Sequence, residues 1–267
     1  MTQGMADKRA LMATCVAAAV KAAEIIRAGA ARRDQLTWET KSPADFVSEV
    51  DRDAERALAD LIRGRHSDAR IVAEEGTPDL DALEGLVFIA DPLDGTTNFL
   101  HGFPWYAVSI AAVVDGELTV GVILNAATGE LFTAIAGGGA RRAGQPISVS
   151  TITDATRALI GTGFPFKPGN PHTRRYLDTL PKVMLETAGI RRAGAAALDL
   201  ADVACGRFEG FWEMTLAPWD IAAGVLLIRE AGGVVTNLEG APCPIAHTSV
   251  VAGNPAMHQW LLKKLNS

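Results

Sequence analysis

Two aspartates stand three residues apart directly after an apolar run, 86–90. A continuous apolar run is typical of a buried strand, so we expect Asp91 and Asp94 at the tip of that strand. Pro92 cannot donate a hydrogen bond to a sheet, which predicts that the strand ends there, and Asp94 with Gly95 supplies a sharp turn. Paired buried carboxylates repel each other unless a cation is present. The spacing therefore predicts oxygen ligands for Mg²⁺.

Thr96 and Thr97 follow this turn. Their hydroxyl and backbone N–H groups are expected in the first turn of a short helix, where the helix dipole favours an anion such as phosphate. The plainer interpretation stays open: Asp94 caps a turn, as Asp-Gly does in many proteins, and Asp91 is a solvated strand end.

The run 91–99 resembles the metal signature of the inositol monophosphatase family, and 219–224 followed by 230–233 resembles a second signature of that family. The similarity extends from Lys41 to about Asn254. The resemblance implies a phosphomonoesterase that uses two Mg²⁺ ions, with room for a third, is sensitive to lithium and forms a homodimer. Water activated by the metal would hydrolyse a small polyol or sugar phosphate, with myo-inositol 1-phosphate as the default substrate.

The resemblance also assigns roles to single residues. The metal ligands are Glu74, Asp91, the Leu93 carbonyl, Asp94 and Asp220. The catalytic residues are Asp51, Glu74 and Thr96. The substrate contacts are Asp94, Gly95, Thr96, Thr97, Gly194, Ala195, Glu213 and Asp220. The residues that support the metal ligands are Lys41, Asp45 and Glu75.

Each acidic candidate has a structural alternative. These are a capping box for Ser48 with Asp51, a solvated turn for Glu74 with Glu75, a helix N-cap for Asp220 and an exposed strand end for Glu213. Ala195 stands where the family often has Ser or Thr, so a contact to a substrate hydroxyl is absent there. Fructose 1,6-bisphosphate, histidinol phosphate and 3′-phosphoadenosine nucleotides therefore stay open as substrates.

Two other classes of protein were compared with this pattern. In haloacid dehalogenase phosphatases the nucleophile and the acid lie two residues apart, whereas Asp91 and Asp94 lie three apart. One added residue in a strand reverses the face that a side chain occupies, so we expect that the two aspartates do not play those roles. A non-enzymatic regulatory binding protein on the same fold is the alternative from a different class. The intact set of acidic residues favours the enzyme.

Composition limits the partners of the chain. Its 267 residues are 48% hydrophobic, which allows a sizeable core, and its net charge of −6 disfavours nucleic acid and anionic membranes as partners. Three widely spaced cysteines suit a reducing compartment, and charges continue the helix that includes 10–20, so we expect a cytoplasmic protein without a signal peptide. Apolar runs are too short for a membrane span.

The fold that must position these residues is predicted as a layered α+β and α/β sandwich. Subdomain 1–150 is expected to carry most metal ligands on an antiparallel sheet with paired helices, and subdomain 151–267 to have a mostly parallel sheet flanked by helices. Helices are predicted at 6–28, 48–64, 172–186, 195–205, 220–230 and 257–265. Strands are predicted at 69–73, 86–90, 106–114, 117–124, 130–135, 146–149, 159–162, 189–192, 207–213, 234–236 and 249–252. Loops are predicted at 40–47 and 137–144.

Overall fold

The computed structural model describes residues 3–42, 45–76, 83–165 and 168–267. The α-helices are α1 (Gln3–Ala30), α2 (Glu49–Arg65), α3 (Thr96–His101), α4 (Thr173–Met184), α5 (Ala196–Ala204), α6 (Pro218–Glu230) and α7 (Pro255–Leu265). The first nine strands are β1 (Trp38–Ser42), β2 (Asp45–Ser48), β3 (Arg70–Ala73), β4 (Leu86–Asp94), β5 (Ala107–Val114), β6 (Glu117–Asn125), β7 (Leu131–Ile135), β8 (Gly139–Arg142) and β9 (Gln145–Pro146). The other five are β10 (Leu159–Thr162), β11 (Gly189–Arg191), β12 (Gly210–Leu216), β13 (Val234–Thr236) and β14 (Thr248–Gly253).

Two large sheets and one hairpin organise these elements. The larger sheet has the strand order β3-β4-β5-β6-β7-β8-β9, in which β3 and β4 are parallel and the other neighbours antiparallel. The smaller sheet has the order β11-β10-β12-β14-β13. Strand β10 is parallel to β11 and β12, whereas β14 is antiparallel to β12 and β13, so this sheet is mixed and the mostly parallel pattern holds for only half of its pairings.

Helices and sheets alternate in five layers. Helices α1 and α2 pack on one face of the larger sheet, and α5 and α6 fill the space between the two sheets. Helices α4 and α7 cover the outer face of the smaller sheet. Helix α6 is apolar almost all round because it is buried on both sides. Its backbone lies so close to β6 that a Cβ on Gly121 would stand 2.8 Å from the Ala223 carbonyl oxygen.

One apolar core joins residues from both predicted subdomains. It includes Ile123 of β6, Leu200 of α5 and Val250 of β14. The division at residue 150 therefore stays a prediction. In the described residues no helix is both long and apolar enough to cross a membrane.

Strand β4 does not end at Pro92, so that prediction is wrong. It continues to Asp94, and its pairing with β5 shifts register between Asp91, which lies opposite Ser109, and Asp94, which lies opposite Ala107. A bulge leaves residues without a ladder bond, which is where a strand tolerates proline. The bulge, and not a strand end, separates the two aspartates.

Four other segments differ from prediction. The predicted loop 40–47 contains the β1–β2 hairpin, and the predicted loop 137–144 contains β8. The Glu230 carboxylate explains the latter, because it accepts hydrogen bonds from the N–H groups of Gly137 and Gly139, both at 2.8 Å. Strand β12 starts and ends three residues later than 207–213, and the strand predicted at 146–149 is reduced to β9.

Candidate active site

The bulge of β4 fixes Asp91 and Asp94 in buried positions, with exposed fractions of 2% and 9%. Asp91 Oδ1 accepts a hydrogen bond from the Leu93 N–H at 2.9 Å. Asp94 Oδ2 accepts one from the Ala197 N–H of α5 at 2.8 Å. Backbone donors on two different elements therefore hold the two carboxylates.

The turn after β4 depends on Gly95, whose φ of 89° lies in the left-handed region. A Cβ there would stand 3.0 Å from the Trp105 carbonyl oxygen. The Asn98 side chain donates to the carbonyl oxygens of Trp105 at 2.7 Å and Ala193 at 2.9 Å. These bonds attach the first turn of α3 to the segment before α5. Helix α3 is short, as predicted.

Asp51 has the capping role that was its structural alternative, and it also contacts Thr96. Its Oδ2 accepts from the Ser48 N–H at 2.9 Å, in a capping box at the start of α2. Its Oδ1 accepts from the Thr96 hydroxyl at 2.8 Å, and the same hydroxyl lies 3.1 Å from the Leu93 carbonyl oxygen. A residue that caps one helix thus also orients the hydroxyl that begins α3.

Asp220 lies in the first turn of α6, after Pro218. Ala217, and not Asp220, is the N-cap residue, but Asp220 Oδ2 accepts from the Ala217 N–H at 2.7 Å and so caps the helix from its third position. The Ser109 hydroxyl of β5 donates to the Trp219 carbonyl oxygen at 3.1 Å. This bond attaches the start of α6 to the strand that pairs with the tip of β4.

These elements surround one cavity of about 790 Å³. The residues of its lining that were predicted from the sequence as site residues are Glu74, Asp91, Leu93, Asp94, Gly95, Thr96, Thr97, Gly194, Glu213 and Asp220. Its other lining residues are Phe164, Pro165, Asn170, Arg192, Met214, Thr215, Leu216, Ala217, Trp219 and His247. The cavity has the size of a small-molecule site and brings together five acidic residues from four separate segments.

Burial and mutual repulsion disfavour the charged form of these acids. Burial, followed by the charges of Glu74, Asp94 and Asp220, raises the pKa of Asp91 well above its ordinary value. Burial raises the pKa of Asp94 to about 7, against the hydrogen bond from Ala197. The pKa of Asp220 is raised well above its ordinary value by burial and by the charge of Asp94.

Two further acids have raised pKa values. Burial raises the pKa of Glu213 to about 8, although the charge of Arg192 opposes the shift. Burial also raises the pKa of Asp51, although hydrogen bonds from Ser48 and Thr96 oppose it.

The donor set fits a divalent cation. Several buried carboxylates that repel each other are stabilised in their charged form by such an ion, and carboxylate with carbonyl oxygen is the ligand set that Mg²⁺ prefers. Among the described residues, however, no three or more His, Cys, Asp or Glu side chains are arranged as they would be around a metal ion. Hydrogen bonds to backbone N–H groups instead occupy one oxygen each of Asp91, Asp94 and Asp220.

Some predicted site residues lie elsewhere. The side chains of Lys41 and Asp45 fall outside the described residues. Glu75 is absent from the described cavity lining, and its N–H donates to the Glu55 side chain at 2.8 Å. Ala195 is buried at the N-cap of α5, where its Cβ would lie 3.3 Å from a Cβ on Gly95. Its contribution is packing beneath the turn.

The sequence analysis missed several residues at the cavity. Arg192 lies with its guanidinium carbon 5.6 Å from the centre of the Phe164 ring, and the Trp219 and His247 rings meet edge to face at 5.7 Å. His247 also lies in the cavity wall, and no sequence pattern marked it. Asp199 of α5 lies outside the cavity lining and is 1% exposed. Among the described residues its Oδ1 has no hydrogen-bond partner, and burial raises its pKa well above the ordinary value. No spacing rule marks these residues, because distant segments bring them together.

The arrangement agrees with a match to a family model. Residues 7–267 match the model described as the inositol monophosphatase family. The chain belongs to the inositol monophosphatase family. The predicted resemblance and layered fold are therefore confirmed.

Relatives within the family have different names. The chain is 44% identical over 248 residues to an inositol-1-monophosphatase from Rhizobium meliloti, and this match covers 92% of this chain and 92% of the relative. It is 40% identical over 250 residues to the Nus factor SuhB of Escherichia coli, covering 94% of this chain and 93% of the relative. The crystal structure of the extragenic suppressor protein suhB from Bartonella henselae is 42% identical, with a TM-score of 0.91, and covers 97% of this chain and 99% of that one.

Proposed function

We propose that this protein is a Mg²⁺-dependent phosphomonoesterase that hydrolyses a small polyol or sugar phosphate, with myo-inositol 1-phosphate as the first candidate. The observation that carries the proposal is the cavity in which acids from four segments surround the turn at Gly95. A relative named inositol-1-monophosphatase at 44% identity supports the substrate.

The residues divide into metal ligands and substrate contacts. Glu74, Asp91 and the Leu93 carbonyl would hold one Mg²⁺, and Asp91, Asp94 and Asp220 a second, with a looser third near Glu74. Bound Mg²⁺ neutralises phosphate charge, lowers the pKa of water and stabilises the leaving alkoxide.

Thr96 and Asp51 would orient the attacking water. Because the Thr96 hydroxyl donates its proton to Asp51 at 2.8 Å, its oxygen lone pairs can accept a hydrogen bond from water. Water held in this way presents its own lone pair to the phosphorus. A bond from the water oxygen to phosphorus would form as the bond between phosphorus and the ester oxygen breaks. One proton of the water would end on the leaving alcohol and the other on the phosphate.

Other groups would bind the two ends of the substrate. The N–H groups of Gly95 and Thr96 would hold phosphate oxygens, together with Thr97. Glu213 would accept a hydrogen bond from a hydroxyl of the alcohol, beside Gly194. Lys41, Asp45 and Glu75 stay predictions for support of the metal ligands, and the homodimer, the lithium sensitivity and the cytoplasmic location also stay predictions.

Phosphate release tests the proposal. Purified protein would be assayed with myo-inositol 1-phosphate, fructose 1,6-bisphosphate, histidinol phosphate and a 3′-phosphoadenosine nucleotide, each with Mg²⁺, with EDTA and with added Li⁺. We expect release with Mg²⁺, fastest from the inositol ester, and inhibition by Li⁺. Asp220→Asn should lose this activity, whereas Asp115→Asn, the same change at an exposed turn, should keep it.

A second candidate is a regulatory binding protein on the same fold. Relatives that carry the name Nus factor SuhB at 40% identity favour it. No release from any of the four esters with Mg²⁺, from protein that is folded, would reject the phosphatase and leave this candidate.

A further inference from the structure

Glu213 is held against the end of β10. Strands β10 and β12 are parallel, with Thr162 opposite Trp212, so Gly163 lies beside Glu213 just beyond the last pair. The Gly163 N–H donates to the Trp212 carbonyl oxygen at 3.4 Å. The Thr162 hydroxyl lies 2.9 Å from the same oxygen and 3.1 Å from the Tyr176 hydroxyl. The backbone at Gly163 is thus held against β12, the strand that carries Glu213.

The space next to the Gly163 Cα atom is filled by the Glu213 carboxylate. A Cβ built on Gly163 would lie closer than 3.0 Å to the carboxyl carbon and to both oxygens of Glu213, a separation that real Cβ atoms essentially never show. Gly163 is buried, and its φ lies outside the left-handed region. The chain therefore needs glycine here for space and not for backbone freedom.

A methyl group added at Gly163 would displace the Glu213 side chain and not strand β10. The atoms in conflict are the far end of a flexible glutamate, which can rotate, whereas Gly163 follows a strand with regular pairing. Glu213 lines the cavity together with Asp94 and Arg192, so a rotated carboxylate would leave its place in the wall.

We propose that Gly163 is a positioning residue that fixes the Glu213 carboxylate in the cavity wall and so controls how well the alcohol part of a polyol phosphate binds. This inference rests on the proposed phosphatase function. Gly163 lies outside the acidic cluster and would contribute to substrate selection only through its effect on Glu213.

The test compares two substrates in the Gly163→Ala variant. Myo-inositol 1-phosphate has hydroxyls for Glu213, and p-nitrophenyl phosphate has none. Loss of one hydrogen bond predicts a fall of about 5- to 10-fold in kcat/KM for the inositol ester, expressed mainly in KM. The value for p-nitrophenyl phosphate should stay within about 2-fold of wild type. Gly64→Ala, where a Cβ meets nothing within 4 Å, is the matched control and should change neither.

A double-mutant cycle separates positioning from general damage. In a Glu213→Ala background, Gly163→Ala should cause no further loss with the inositol ester, because both changes remove the same contact. Equal losses with both substrates, an unchanged KM for the inositol ester, or additive losses in the cycle would each overturn the inference. If the wild type releases phosphate from none of the four esters of the substrate panel and none from p-nitrophenyl phosphate, the proposed function is refuted and the inference falls with it.

Discussion

Replacement of Asp94 by asparagine should stabilise the metal-free protein at alkaline pH while it removes the activity. Burial raises the pKa of this carboxyl from an ordinary 3.8 to about 7. The folded state therefore binds more protons than the unfolded state between these values, and wild-type stability must fall as the pH rises through this range. Asparagine keeps an oxygen that can accept the Ala197 N–H bond, yet it does not titrate.

The magnitude follows from the two pKa values. With 3.8 in the unfolded chain and about 7 in the folded protein, the free energy of unfolding of the wild type should fall by about 3 kcal/mol between pH 5 and pH 8 through this group. This is an upper value, because Asp91 and Asp220 share the repulsion. The Asp94→Asn variant should lack this contribution, so its stability relative to wild type should improve from pH 5 to pH 8.

Urea unfolding in EDTA at both pH values measures the difference. Addition of Mg²⁺ at pH 8 should reverse the order, since a ligand at about 100 times its Kd stabilises the wild type by about 3 kcal/mol and the variant by less. Asp115→Asn, the same change in an exposed hairpin turn, serves as control and should show neither effect. A stability difference between wild type and Asp94→Asn that is the same at pH 5 and pH 8 would refute the reasoning.

Two further predictions concern the turn after β4. Thr96→Val leaves the buried Asp51 Oδ1 without its donor, which should lower the free energy of unfolding in urea by about 1 to 3 kcal/mol and reduce phosphate release by about 100-fold. Thr96→Ser should retain most of the stability and most of the phosphate release. Equal behaviour of the two variants would contradict this role. Gly95→Ala adds the contact with the Trp105 carbonyl oxygen to the cost of a positive φ. It should therefore lower the melting temperature more than Gly116→Ala, where φ is 85° and a Cβ meets nothing within 4 Å; an equal effect would mean that the close approach does not matter.

Sequence patterns within short stretches of the chain were enough to predict several strands, helices and turns. The apolar run before Asp91, the turn at Gly95 and the apolar periodicity of the helices were sufficient to place β4, α3 and most other elements within a few residues. The family resemblance added the acids that are distant in sequence, and the cavity contains Glu74, Asp94 and Asp220 together as expected.

The features that the sequence patterns missed depend on contacts between segments that are distant in sequence. Pro92 is accommodated in a strand because a bulge shifts the pairing with β5, and that shift depends on the partner strand. Strand β8 in a glycine-rich segment depends on the distant Glu230 carboxylate. Arg192 and His247 reach the cavity through the packing of separate segments, which no spacing along the chain records.

The burial of α6 between the two sheets has a consequence for how the proposed Mg²⁺ site would form. Asp91 and Asp94 are carried by the larger sheet, and Asp220 is carried by a helix that packs against both sheets. A partly folded chain in which only one sheet has formed would hold an incomplete set of ligands. Magnesium should therefore stabilise only the finished structure, and nascent or misassembled chains should neither take up the ion nor hydrolyse esters.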